Sequence, residues 1–324
     1  MALYQMGSHG KEVQQIQQAL KDKGLYSGSV DGDFGGGTQA AVPAFQRAQN
    51  LEADGRVGDA TWRVLFGANT QAPAPQIHNE DLAARCLAMT ASFETGVGAP
   101  DCFCGISGDF DGQGISFGVL QWNFGQKSLQ PLLREIVTDH ADVASTIFGA
   151  NVNALKEALD SSEEDLMSFA RSVQHPVNHK VFEPWLGYAK ALGRTPEFQK
   201  IQVKYANGNF QQGLRMCQQY ELWSERAVAL MFDIVTQNGS ISKTTQAQIQ
   251  ADIQGLPSGL SDEDREVKKL ESIANRRAEA ANPRWIDDVR RRKLCIARGG
   301  GVVHNITYDL EQQFGIRLKR YSDA

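Results

Sequence analysis

Two acidic side chains, Glu94 and Asp111, stand where a carboxyl pair could work on a glycosidic bond. Glycoside hydrolysis needs a protonated carboxyl beside the leaving oxygen and an ionised carboxylate across the sugar. In the inverting case the two lie roughly 6.5–9.5 Å apart, with a water between them. Glu94 falls at the carboxyl end of a helical pattern that opens at Leu82, and Gly96 ends the turn. A helix dipole disfavours an anion there, and Phe93 and Val97 offer an apolar setting. Both effects raise a carboxyl pKa, as general-acid work near neutral pH requires. The second carboxylate comes from Gly108-Asp109-Phe110-Asp111-Gly112-Gln113-Gly114-Ile115-Ser116-Phe117-Gly118, whose glycines permit a tight loop running into an extended strand. Asp111 is the preferred base; Asp109 competes for that role or contacts the substrate. Ser116, opening the strand, could hold the attacking water. Gln121, Trp122 and Asn123 suit a sugar cleft, with Trp122 offering an apolar face, although Trp122 reads equally well as plain core.

The elements that must position these groups are mostly helical. Asn79 reads as a helix cap, with Glu80 and Asp81 in the first turn. Leu82, Cys86, Met89, Thr90 and Phe93 then share one face, and Ile115 to Trp122 is strand-like. Further helices are expected over Leu129–His140, Glu163–Ser172, Glu197–Tyr220, Trp223–Asn238, Glu266–Ala281 and Trp285–Arg298. In the fourth of these, Ala227, Leu230, Met231, Ile234 and Val235 form a core stripe. In the last, Ile286, Val289 and Leu294 face inward and Arg290-Arg291-Arg292-Lys293 largely outward. That cluster serves as a solvated face, as salt-bridge partner for core carboxylates, or as the source of an Arg that holds Asp111 or its neighbours ionised. Gly299-Gly300-Gly301 and Val302 to Tyr308 read as a closing loop and an extended tail.

Ahead of this lies an internal near-repeat. Asp31-Gly32-Asp33-Phe34-Gly35-Gly36-Gly37-Thr38 is echoed by Asp54-Gly55-Arg56-Val57-Gly58-Asp59-Ala60-Thr61. Each copy reads as an Asp-Gly turn, a buried Phe or Val, a Gly, and a Thr placed to cap a short helix. Helices are expected from Lys11 to Lys23, after Thr38 and from Thr61, with Pro43 kinking or delaying the second. Leu20, Phe45 and Trp62 are core. The pattern resembles the three-helix peptidoglycan-binding module of many cell-wall hydrolases. The resemblance implies a wall-binding domain over residues 1–67, with Asp33, Gln39 and Arg56 as its exposed ligand contacts. The Pro-containing stretch that follows reads as a linker over 68–79, and 80–324 as a second domain.

The Glu94 and Asp111 segments resemble the lysozyme superfamily, most closely its chitosanase branch. There a catalytic Glu ends a helix, and an Asp-Gly-Arg-Gly-aromatic-Thr segment follows. By position, Glu94 takes the acid role, Asp111 the base role and Ser116 the water-positioning role. Gln113 stands for the family's Arg, Ile115 for its aromatic residue and Ser116 for its Thr. Gln237-Asn238-Gly239 resembles the polar turn bordering the substrate groove in that branch, which makes Asn238 a sugar contact. The implied fold is mainly α: a small three-helix domain plus a larger α+β lysozyme-like domain, mostly helical with a small β element.

Composition narrows the alternatives. A net charge of −5 gives no reason to expect a nucleic-acid partner. No apolar run is long enough to span a membrane, and the N-terminus lacks a basic region followed by an apolar core. Synthesis in a cytoplasm, free thiols, a monomer and later action on peptidoglycan are expected, as in a phage endolysin; a toxin delivered into a rival cell is the alternative. His9 has no second ligand nearby. His175 and His179 have metal-binding spacing, but Pro176 and the missing third ligand argue against it, so neither metal nor cofactor is expected. The leading function is a muramidase acting between N-acetylmuramic acid and N-acetylglucosamine. A lytic transglycosylase, a chitosanase and a non-catalytic wall-binding protein are the competing readings.

Overall fold

The computed structural model describes residues 3–8 and 10–322, so His9 lies outside the described residues. The protein is mainly α-helical with a small β element, as expected. Two compact units divide it: Met1–Gly98 with Gly208–Ala324, and Ala99–Asn207.

The first unit opens with α1 (Lys11–Asp22), α2 (Gly36–Ala48) and α3 (Asp59–Phe66). Val13, Ile16, Leu20, Phe34, Phe45 and Trp62 are buried together between them. The near-repeat has a structural cause that periodicity hides. The Gln17 amide donates to Asp31 Oδ1 (2.8 Å), Asp33 O (2.9 Å) and Thr38 Oγ1 (3.1 Å), and its oxygen accepts from Gly32 N (2.9 Å). Gln46 does the same to the second copy, reaching Asp54 Oδ1, Arg56 O, Thr61 Oγ1 and Gly55 N. The two threonines are therefore not helix caps. They sit inside α2 and α3, whose N-caps are Gly35 and Gly58, because a buried carboxamide occupies their hydroxyls. Pro43 lies within α2 without ending it. Residues after α3 remain tied to this core: Ala72 N donates to Asp59 Oδ1 and Tyr4 OH to Pro73 O.

The helix α4 (Leu82–Thr95) opens at Leu82, where the apolar pattern begins, with its cap two residues later than the sequence suggests. Asp81, not Asn79, is its N-cap, accepting from Ala84 N at 2.8 Å, while Gln76–Asn79 forms a 3₁₀ turn. Nearly every residue from Leu82 to Phe93 is buried, so α4 is a core helix on all sides. It ends at Gly96, whose φ of 73° is the left-handed conformation that favours glycine and whose N–H donates to Ser92 O.

In the second unit, β1 (Ile106–Ser107), β2 (Ser116–Phe117) and β3 (Trp122–Asn123) form an antiparallel sheet in that order, with Ser107 opposite Ser116 and Ser116 opposite Asn123. The stretch from Ile115 to Trp122 is thus not one strand. It turns through Gly118 and Gln121, both at positive φ. The helices α5 (Gln130–Asp139), α6 (Ala141–Phe148), α7 (Val152–Asp160), α8 (Glu163–Ser172) and α9 (Trp185–Gly193) complete this unit together with the first part of α10 (Pro196–Gln219). His175 and His179 lie on a tight turn, not a helix, closed by His179 N donating to His175 O.

The first unit resumes with α11 (Glu225–Asn238), α12 (Lys243–Gln254), α13 (Asp262–Glu279), α14 (Ile286–Arg298), the hairpin β4 (Gly300–Val303) and β5 (Ile306–Asp309), and α15 (Leu310–Phe314). α11 packs against α4 and α14, and its stripe from Ala227 to Val235 is buried as expected. α14 departs from expectation. With Val289 turned inward, helical spacing carries Arg292, Lys293 and Ile296 to the same side. Arg292 and Lys293 are buried at 1% and 0% exposure, whereas Arg291 faces solvent. All five cysteines are buried with free thiols. No helix among the described residues is long and apolar enough to cross a membrane.

Candidate active site

Two buried cations in a helix–helix interface require an anion, and α11 supplies it. Asp233, fully buried, accepts from Arg292 Nη2 at 2.7 Å and from Arg292 Nε at 3.1 and 3.2 Å. It also accepts from Lys293 Nζ at 2.5 Å and Thr90 Oγ1 at 3.0 Å. Burial alone would raise the Asp233 carboxyl, but Arg292 and Lys293 outweigh it and hold the group well below the usual carboxylate range. Burial lowers Lys293 to about 8, with Asp233 opposing the shift. Arg292 stays charged at any working pH: burial would lower it, and Asp233 and Glu94 more than compensate.

One positive charge remains unmatched, and Glu94 meets it. Arg292 Nη1 donates to Glu94 Oε1 at 2.5 Å. Gln237, one turn after Asp233 on α11, donates to the same oxygen at 3.3 Å and accepts from Lys293 Nζ at 2.7 Å. Both contacts fall on Oε1, so Oε2 is the oxygen left to face a ligand. The apolar setting expected for Glu94 is not what surrounds it. Its side chain is 49% exposed. Phe93 instead points into the core, edge-on to the Tyr308 ring and beneath the Arg292 guanidinium. The last turn of α4 is held from the far end of the chain, where Tyr308 OH donates to Ser92 O and His304 Nδ1 lies 3.1 Å from Phe93 O.

The candidate bases lie in the second unit and differ from each other. Asp109 is bound into its loop: Gly114 N donates to its Oδ1 at 2.8 Å, and its own N–H donates to Gln174 Oε1 at 2.7 Å. Asp111 is exposed and accepts one local bond, from Gln113 N at 3.2 Å. Ser116 is buried on β2 beside Asn123 of β3. The other predicted contacts fare unevenly. Trp122 is buried, its ring close against Gly118, so it serves as core and not as an open sugar platform. Asn123 is buried too, and its Oδ1 caps a turn by accepting from Gln126 N. Gln121 is exposed but spends its amide on Gly118 O and Gly105 O. Asn238 ends α11 with its Oδ1 buried and without a partner among the described residues. In the N-terminal module Asp33 is exposed, while Gln39 and Arg56 are half-buried, Gln39 lying over Gly55.

Asp233 escapes the sequence reading, and Gln237, named there only within the polar turn that ends its helix, is not foreseen as a partner of Glu94. The available signal is a lone acid in the run Ala227-Val228-Ala229-Leu230-Met231-Phe232-Asp233-Ile234-Val235, since an acid at a core position demands a buried cation.

Comparisons with known proteins bear on the two ends of the chain differently. A family model described as a putative peptidoglycan binding domain matches residues 9–65. Over 64 residues, 20% of this chain, the sequence is 42% identical to a spore cortex-lytic enzyme of Bacillus cereus. Over 58 residues, 18% of this chain, it is 43% identical to the N-acetylmuramoyl-L-alanine amidase CwlM of Mycobacterium tuberculosis. These stretches span 25% and 14% of the relatives' own lengths. Among solved structures, a chitosanase complex aligns with 70% of this chain and 95% of its own, at 13% identity and a TM-score of 0.42.

Proposed function

We propose that this protein is a peptidoglycan hydrolase of the muramidase type. Residues 9–65 hold the wall, and the remainder cleaves the β-1,4 bond between N-acetylmuramic acid and N-acetylglucosamine. Glu94 acts as general acid, Asp111 as general base, and Ser116 helps position the water. The observation that carries the reading is the support given to Glu94: Arg292 and Gln237 grip one carboxyl oxygen, which leaves the other to carry the proton to the leaving glycosidic oxygen. Asp111 is favoured over Asp109 because its carboxylate is exposed, whereas Asp109 is occupied in closing its own loop. The match of residues 9–65 to a wall-binding family turns the choice of glycan toward peptidoglycan.

The test uses purified walls and mass spectrometry of the new chain ends. Glu94→Gln is expected to abolish lysis while leaving wall sedimentation unchanged, and Asp111→Asn to lower the rate by about 10²-fold or more. Reducing muramic-acid ends mark hydrolysis. Anhydro ends, with activity retained in Asp111→Asn, would replace this reading with a transglycosylase. Sedimentation with walls without any cleavage would reduce it to a binding protein.

A further inference from the structure

The loop that carries both candidate bases also carries an aromatic residue with no burial to explain it. Phe110, between Asp109 and Asp111, is 70% exposed. A large ring on a surface is unremarkable when its backbone is loose, but this backbone is not. Phe110 N donates to Gly108 O, Asp109 is bonded on both sides as described, and Gln113 O accepts from Gly125 N at 2.8 Å. Gly108 lies so close to the 174–181 turn that an added Cβ would come within 1.9 Å of His179 O. That turn is itself closed by the Gln174–Val181 bridge and by His175 Nδ1 accepting from Val177 N at 3.1 Å. It sets the His179 ring edge-on to Phe110, centroids 5.3 Å apart, and presents Val177 at 79% exposure.

We propose that Phe110, buttressed by His179, is a sugar-stacking platform that seats a pyranose ring next to Asp111. This rests on the functional reading above and names a substrate contact within it. A pyranose offers an apolar C–H face that an aromatic ring can cover without losing hydrogen bonds. A platform adjoining the base by one peptide unit would fix the ring on which water must arrive. Trp122, the aromatic residue that the sequence offers for this role, is buried, so Phe110 takes it.

The experiment measures binding by calorimetry in the Glu94→Gln background, with a hexasaccharide of alternating N-acetylglucosamine and N-acetylmuramic acid that lacks stem peptides. Phe110→Ala and Phe110→Leu are each expected to weaken binding about tenfold, while Phe110→Trp stays within about threefold of the parent. The exposed side chain should leave the melting temperature unchanged in all three. Unchanged affinity in Phe110→Ala overturns the proposal. So does a Leu variant that binds as well as the Trp variant, or a loss seen only with peptide-bearing glycans. If Glu94→Gln still cleaves the hexasaccharide, the catalytic assignment falls instead, and that result is read from products, independently of the affinities.

Discussion

Asp233 shows how one residue governs a site without touching a ligand. It fixes Arg292 and Lys293 in the core, and Arg292 in turn fixes Glu94. Removing its charge leaves two buried cations short of an anion, a defect worth about 3–5 kcal/mol. Asp233→Asn is therefore expected to lower stability by that amount at pH 7 and to cost activity through a displaced Arg292. The pH dependence has a definite sign. In the unfolded chain this carboxyl titrates near 3.8, and in the fold well below it. Its charge thus stabilises the fold above that pH, and the contribution drains away as pH falls through the depressed native value. Melting curves of wild type and Asp233→Asn should converge as the pH drops below about 4, and a gap independent of pH would refute the linkage.

At the level of elements, apolar spacing predicted most helices and missed what polar residues do inside them. Gln17 and Gln46 look like ordinary surface positions of amphipathic helices. They are buried at 0% and 1%, because each reaches a turn 14 or 8 residues further along, and no local pattern encodes that reach. Gln17→Ala and Gln46→Ala each strand a turn's backbone and side-chain groups without partners. Each is expected to destabilise the module by about 1–3 kcal/mol, measurable by denaturant melts of the full chain, and the two effects should be alike. For Arg292 and Lys293 the sequence offers both a solvated face and a partnership with core carboxylates; the second holds, and the choice was not legible because the partner lies 59 or 60 residues away. The stretch from Ile115 to Trp122 reads as one strand because most of its residues are apolar or aromatic, and only the backbone at Gly118 and Gln121 reveals the turn. The position of Glu94 in the last turn of α4 was legible, because an apolar face and a terminating glycine are both local signals; the polar company it keeps was not.

For the whole molecule, the proposed function, a wall-holding segment on the same chain as a cleaving one, predicts a division of labour. Tethering raises the local concentration of insoluble substrate and leaves chemistry on soluble substrate untouched. The double variant Gln17→Ala/Gln46→Ala should therefore lose sedimentation with walls and lyse them more slowly, yet process the soluble hexasaccharide at the wild-type rate. An equal loss on both substrates would show that the module acts on catalysis itself. The β4–β5 hairpin has a consequence of another kind. Its Tyr308 and His304 seat the turn bearing Glu94, although they are encoded more than two hundred residues after it. A polypeptide interrupted after Arg298 would retain every acidic candidate and still lack the brace for the turn that carries Glu94. Proteolytic nicking within the hairpin is thus expected to loosen the last turn of α4 while leaving the core around Gln17 and Gln46 intact.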